Sequence, residues 1–137
     1  MKRFLPAILA AALLFAAAPC TWAQNTQEPD MDEIISKQVE NLTRSFKLDE
    51  VQEFFVDSVL QHNFPAMNAE FEETRKTGAS NQDTYQAISD KWMAATDEAF
   101  ERLFTEEQWK RYMKSTYGKE KNRRDKRIKE RVVSPAQ

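Results

Sequence analysis

At 137 residues, 41% of them hydrophobic, the chain has the length of a single domain with one modest core. One cysteine, Cys20, and one histidine, His62, exclude a disulfide framework and leave too few ligands for a structural zinc site. The formal net charge of −2 conceals a division: residues 24–109 hold 7 basic and 19 acidic side chains, whereas residues 110–131 hold 11 basic and 3 acidic. An acidic body with a basic C-terminal end is expected, and such asymmetry often marks an interaction tail.

Lys2 and Arg3 precede an uncharged apolar run from Phe4 to Ala18, and small residues follow up to Thr21-Trp22-Ala23. That order is the layout of a secretory signal peptide, with cleavage expected after Ala23 and a periplasmic or secreted destination. The apolar run falls short of the roughly 20 residues that a membrane-spanning helix takes, which argues against a retained anchor. Pro19 stands where an acylation motif wants a small flexible residue before its cysteine, which argues against lipidation of Cys20. Cleavage would remove Cys20 and leave 114 residues without thiol chemistry. Residues 24–30, which include Pro29, read as a flexible lead-in.

No later stretch shows the strict alternation of a half-buried strand, so the fold class expected is all-α, with about four helices. A first helix is predicted from Met31 to Phe46, with Met31, Ile34, Ile35, Val39, Leu42 and Phe46 on one face. A second begins after Asp49 and carries Val51, Phe54, Phe55, Val59, Leu60, Met67 and Phe71 as its apolar positions. Pro65 interrupts it, because proline removes a backbone hydrogen bond and crowds the preceding turn, so a kink or short break is expected around His62 to Phe64. Arg75 and Lys76 suit the negative end of that helix, and Gly78 stops it. Asn81 is the predicted cap of a third helix with Tyr85, Ile88, Trp92, Ala95, Ala99, Phe100 and Leu103 as its stripe. A fourth follows Thr105 with Trp109, Tyr112, Met113 and Thr116 on one side, closing a helical domain of residues 31–117 at Gly118. Residues 118–137 form a basic extension with little apolar periodicity, readable either as a solvated helix or as disordered chain.

One pattern occurs twice. Leu48-Asp49-Glu50-Val51-Gln52 and Phe104-Thr105-Glu106-Glu107-Gln108 each read as an apolar residue, a cap residue, two further residues and a glutamine. Asp49 or Thr105 is placed to accept the N–H three residues on, and Gln52 or Gln108 to reach back to the cap residue's own N–H, which is a capping box. Phe104 and Trp109 have the spacing of a hydrophobic staple. Capping boxes are common, and two well-started helices would by themselves account for the pair.

The double motif resembles the LTxxQ-motif family of Spy- and CpxP-like periplasmic helical proteins. The second copy differs by Phe104 in place of leucine and the first by Asp49 in place of threonine, and both changes keep the physical roles. The similarity covers about residues 31–117. It implies a bent helical hairpin, often paired into a cradle-shaped homodimer. It further implies ATP-independent chaperone activity toward unfolded proteins, inhibition of an envelope-stress sensor, or, in some relatives, metal sensing.

Catalytic sets are missing from the sequence. No Gly-rich phosphate loop, H-E-x-x-H or Glu-x-x-His pattern occurs, and His62 has no evident nucleophile or carboxylate partner. No enzyme, cofactor or resident metal is expected. His62 reads as a partly buried residue beside the Pro65 kink, and the acids Glu70, Glu72 and Glu73 read as a solvated face rather than a calcium site. Most of the aromatic residues should fill the core. Phe64, Met67 and Phe71, next to the kink, are the candidate apolar contacts for client proteins, because exposed apolar patches mark binding surfaces and methionine adapts its shape. Arg123, Arg124, Lys126 and Arg127 are the candidate electrostatic tail, suited to acidic client segments, anionic lipid head groups or the protein's own acidic body. Export argues against a nucleic-acid partner. The function expected is periplasmic protein binding of a chaperone-like or envelope-stress kind. The alternatives are a dedicated regulatory or structural partner of one envelope protein and, less favoured, a metal-binding sensor.

Overall fold

A computed structural model describes residues 30–78 and 81–134. The expected signal peptide, with Cys20, and the lead-in up to residue 29 lie outside the described residues. The described residues form five helices, in the order α1 (Met31–Phe46), α2 (Glu50–Lys76), α3 (Gln82–Leu103), α4 (Glu106–Lys114) and α5 (Thr116–Val133). Among the described residues there is no strand.

Local chemistry sets the helix ends. Lys47 closes α1 in the left-handed conformation with φ 53°, so that its own N–H and that of Leu48 reach the Thr43 carbonyl. Gly78, at φ 71°, turns the chain away after α2. Asn81 caps α3 by accepting the Thr84 N–H at 2.8 Å. Ser115 serves both neighbours: its hydroxyl donates to the Tyr112 carbonyl at 2.6 Å and accepts the Tyr117 N–H at 3.2 Å.

The core sits where α1, α2, α3 and α4 meet. Ile35, Val39, Leu42 and Phe46 of α1 pack with Val56 and Leu60 of α2, Phe100 of α3, Phe104 just after α3 and Tyr112 of α4. Phe104 stacks on Phe100 at 5.4 Å, and Tyr112 on Trp109 at 5.0 Å and on Tyr117 at 5.5 Å. Aromatic pairs at such spacing add to the free energy of area burial alone. Helices α2 and α3 run antiparallel, tied by Asn63 to Thr96 at 2.9 Å near the middle and by the Trp92 indole N–H to Glu70 at 2.7 Å further out.

The structure departs from the sequence reading in several places. The buried face of α2 is Gln52, Val56, Leu60 and Asn63, whereas Val51, Phe54 and Phe55 are exposed. Burial of Gln52 sets this register, since residues four and eight positions on then also face inward. No break occurs before Pro65; α2 runs on to Lys76, held before the proline by Leu60 and Asn63 and after it by Phe71 against Tyr85 at 5.5 Å. His62 is exposed rather than partly buried, because Asn63 takes the inward position, and its Nδ1 lies 2.8 Å from Asn63 Oδ1.

Gly118 does not end a helix. It lies in the first turn of α5, buried where a Cβ would sit 2.2 Å from the Met113 carbonyl oxygen. The basic extension beyond it is helix up to Val133, packed against α3 as well as α4, which makes five helices rather than about four.

Candidate functional site

The two capping boxes come together. Gln52 N–H reaches Asp49 Oδ1 at 2.8 Å, and Asp49 N–H reaches Gln52 Oε1 at 3.1 Å. In the second copy, Gln108 N–H reaches Thr105 Oγ1 at 3.2 Å and Thr105 N–H reaches Gln108 Oε1 at 2.8 Å. The glutamine amides then bind each other. Gln52 Nε2 donates to Gln108 Oε1 at 2.7 Å, and Gln108 Nε2 donates to Gln52 Oε1 at 2.9 Å. Each nitrogen's second hydrogen goes to the carbonyl just before the other motif, Leu103 for Gln52 and Lys47 for Gln108, both at 3.2 Å. Every donor and both lone pairs of each amide are therefore used, in an arrangement with local two-fold character. Leu48 and Phe104, the apolar leaders of the two motifs, are both buried beside it.

This closed pair joins the start of α2 to the start of α4 inside the core. Losing one amide leaves its partner's polar atoms buried and unsatisfied, at about 1–3 kcal/mol, whereas losing both removes the orphans together. Gln52→Leu and Gln108→Leu are each expected to destabilise by about 2 kcal/mol, and the double variant by at least about 1 kcal/mol less than their sum. Urea unfolding of the four proteins checks this. Additive losses would mean that the amides are not coupled.

A second polar cluster lies between α3 and α5. Arg124 Nη2 donates to Asp97 Oδ2 at 2.5 Å, both side chains buried, and the Tyr112 hydroxyl donates to Asp97 Oδ1 at 2.7 Å. Burial, reinforced by that hydrogen bond, pushes the Tyr112 hydroxyl far above the ordinary phenol range. Seven residues earlier on α3, Asp90 receives Arg127 through Nε at 3.0 Å and Nη2 at 2.7 Å, and Arg131 Nη2 at 2.6 Å. Burial alone would raise the Asp90 carboxyl, but hydrogen bonds from Arg127, Arg131 and Gln86 outweigh it and hold it below the usual aspartate range. Its contribution to stability is present above that range and is lost as pH falls below it toward the lowered native value.

The four residues read as an electrostatic tail are thus divided. Arg124 and Arg127 are bound to α3, Arg123 pairs with Glu120 at 2.5 Å, and Lys126 lies exposed at 3.9 Å from Glu130. Asp90, Asp97 and Arg131 were missed by sequence reasoning. Their signal was present as acids seven apart on α3 and arginines three and four apart on α5, but only the packing of the two helices makes those faces opposite each other.

The apolar surface also lies elsewhere than expected. Phe64 packs against the core, Met67 is half-buried, and Phe71 is half-buried against Tyr85. The large exposed apolar side chains instead include Val51 (64% exposed), Phe54 (66%) and Phe55 (49%) at the start of α2, with Phe54 and Phe55 edge to face at 5.7 Å. The pairing of Gln52 with Gln108 sets this outcome: with Gln52 turned inward, Val51 and Phe54 turn out.

Among the described residues no group of three His, Cys, Asp or Glu side chains is placed to hold a metal ion, and no helix is long and apolar enough to cross a membrane. Comparison with models of known protein families, with curated proteins and with solved structures found no match.

Proposed function

We propose that this protein binds other proteins outside the cytoplasm, as an ATP-independent chaperone-like or envelope-stress protein of the LTxxQ kind. The observation that carries the reading is the exposed edge of Val51, Phe54 and Phe55 on an otherwise well-packed helical body. Full burial of a phenylalanine is favourable by about 1.5–3 kcal/mol, and the part of this that Phe54 and Phe55 forgo is what a partner covering them would recover. The reciprocal glutamine pair supports the family resemblance, since it gives both copies of the motif one shared structural task. A bent hairpin and a cradle-shaped dimer are part of the same proposal.

The test follows light scattering of several unrelated aggregating proteins with and without the purified protein. Aggregation of several clients is expected to fall, and Phe54→Ser/Phe55→Ser is expected to lose most of that effect while keeping its helical circular dichroism. Phe71→Ser is expected to lose less, because Phe71 already packs on Tyr85. No suppression at several-fold molar excess would sink general client binding and leave a dedicated partner as the reading to pursue.

A further inference from the structure

We propose that the groove between α1 and α2 is a docking site for cationic peptide segments that also carry apolar side chains. The inference rests on the protein-binding reading and names the class of partner.

The groove has a volume of about 610 Å³; its α1 wall includes Glu40 and Arg44, and its α2 wall is Glu50, Glu53, Phe54 and Asp57. The Phe54 ring stands at its rim beside Phe55. Of the five charged side chains named, three have no ion-pair partner among the described residues. Glu40 and Arg44 pair with each other, while Glu50, Glu53 and Asp57 take part in none of the ion pairs among the described residues.

Elsewhere on the helices, surface acids commonly face a cation three or four residues away, as in Glu33 with Lys37, Glu72 with Arg75, Glu98 with Arg102 and Glu106 with Lys110. No lysine or arginine occurs between Lys47 and Arg75, so the first turns of α2 have no such partner within reach on their own helix. The aromatic edge and the unpaired carboxylates are therefore interleaved on one surface.

That combination selects its occupant. A neutral or acidic segment covering Phe54 would strip water from Glu50, Glu53 and Asp57 without supplying a counter-charge, which costs several kcal/mol for a fully desolvated ion. A segment with lysine or arginine near its apolar residues buries the rings and pairs the carboxylates at once. An arginine can in addition lie over the face of Phe54 or Phe55. The negative field of the acidic body also speeds the encounter with such a segment.

The experiment uses the purified full chain and three labelled peptides of equal length, followed by fluorescence anisotropy. One alternates lysine with leucine and phenylalanine, one has each lysine replaced by glutamine, and one has each replaced by glutamate. The cationic peptide is expected to bind about tenfold or more tighter than the glutamate peptide, with affinity falling as salt rises past the point where the screening length is about 8 Å. Glu50→Gln/Glu53→Gln/Asp57→Asn should weaken the cationic peptide about fivefold or more and leave the glutamine peptide unchanged. Phe54→Ser should weaken both.

Equal binding of all three peptides, lost with Phe54→Ser, would overturn the cation preference while leaving protein binding intact. Absence of peptide binding by a protein that still suppresses aggregation would place the client site elsewhere and overturn the groove. Absence of both activities would overturn the protein-binding reading itself. A dimer in sedimentation equilibrium that dissociates in the triple acid variant, and whose formation blocks the peptide, would make a second copy of this chain the occupant and overturn the proposal.

Discussion

Gly118→Ala is expected to lower the melting temperature by about 12 °C or more, the equivalent of about 3 kcal/mol in a domain of this size. The added methyl would meet Met113 backbone atoms at 2.2 to 2.4 Å, separations that real Cβ atoms do not tolerate. The obstacle is backbone rather than the tip of a flexible side chain, so it cannot rotate away. Relief requires the corner between α4 and α5 to open. Opening that corner pulls α5 from α3, and with it Arg124 from Asp97 and Arg127 from Asp90. The damage should therefore be uneven. Circular dichroism should retain most of the helix signal, while trypsin gains access to the arginines of α5. A variant that melts within about 2 °C of the parent would show that α4 and α5 approach less closely than described.

Asp97→Ala is the second large effect, an expected loss of about 3–5 kcal/mol in urea unfolding. Its removal leaves the Arg124 guanidinium buried without a counter-charge and the Tyr112 hydroxyl without an acceptor. Arg124 Nε is already buried without a hydrogen-bond partner, so the cluster has no spare compensation. The triple variant Asp97→Leu/Arg124→Met/Tyr112→Phe removes all three polar groups and is expected to regain at least half of the loss, because well-packed apolar residues often replace a buried ion pair without net cost. A single substitution costing under about 1 kcal/mol would mean that water reaches Arg124. Failure of the triple variant to recover would mean that the ion pair contributes net stability rather than orientation alone.

These two effects share a feature that bears on the basic helix. Few of its residues bury apolar surface: Gly118 and Arg124 are its buried residues, and Val132 and Val133 are exposed. Helix α5 is therefore held at its start by the tight corner and along its length by arginines on two carboxylates. Three of its arginines, Arg124, Arg127 and Arg131, are thus bound to carboxylates of α3 rather than left to solvent. Of the remaining cations, Lys121, Arg123 and Lys126 pair within α5 with Asp125, Glu120 and Glu130, while Lys119 and Lys129 take part in none of the ion pairs among the described residues. The acidic surface at the start of α2 differs in carrying the exposed Phe54 ring among its unpaired carboxylates, which is why the partner inferred for this protein is cationic.

Interactions that span three or four residues were legible in the sequence. Asp49, Asn81 and Thr105 stand at helix starts because a cap and the N–H it accepts lie within one turn, and that geometry needs nothing from the rest of the chain. The all-α class follows in the same way from periodicity without strand alternation. Most of the face of α1 was also readable, since Ile35, Val39, Leu42 and Phe46 are its buried residues and lie three and four apart, whereas Ile34, read onto the same face, is exposed at its edge.

Only the tertiary structure decided which face of α2 turns inward, because its apolar residues lie all round the helix and the choice depends on Gln52 meeting Gln108 across 56 positions of chain. The fate of the arginines was hidden for the same reason: Arg124 finds Asp97 27 residues away, and nothing local distinguishes it from exposed Arg123. Gly118 looked like a terminator because glycine serves that role often, whereas here it is required by a close approach of two backbones that no local pattern encodes. Short-range hydrogen bonding set where the helices begin. Long-range pairing of buried polar groups, which cannot be left unsatisfied in a small core, set how they face one another and so which aromatic residues remain on the surface to meet a partner.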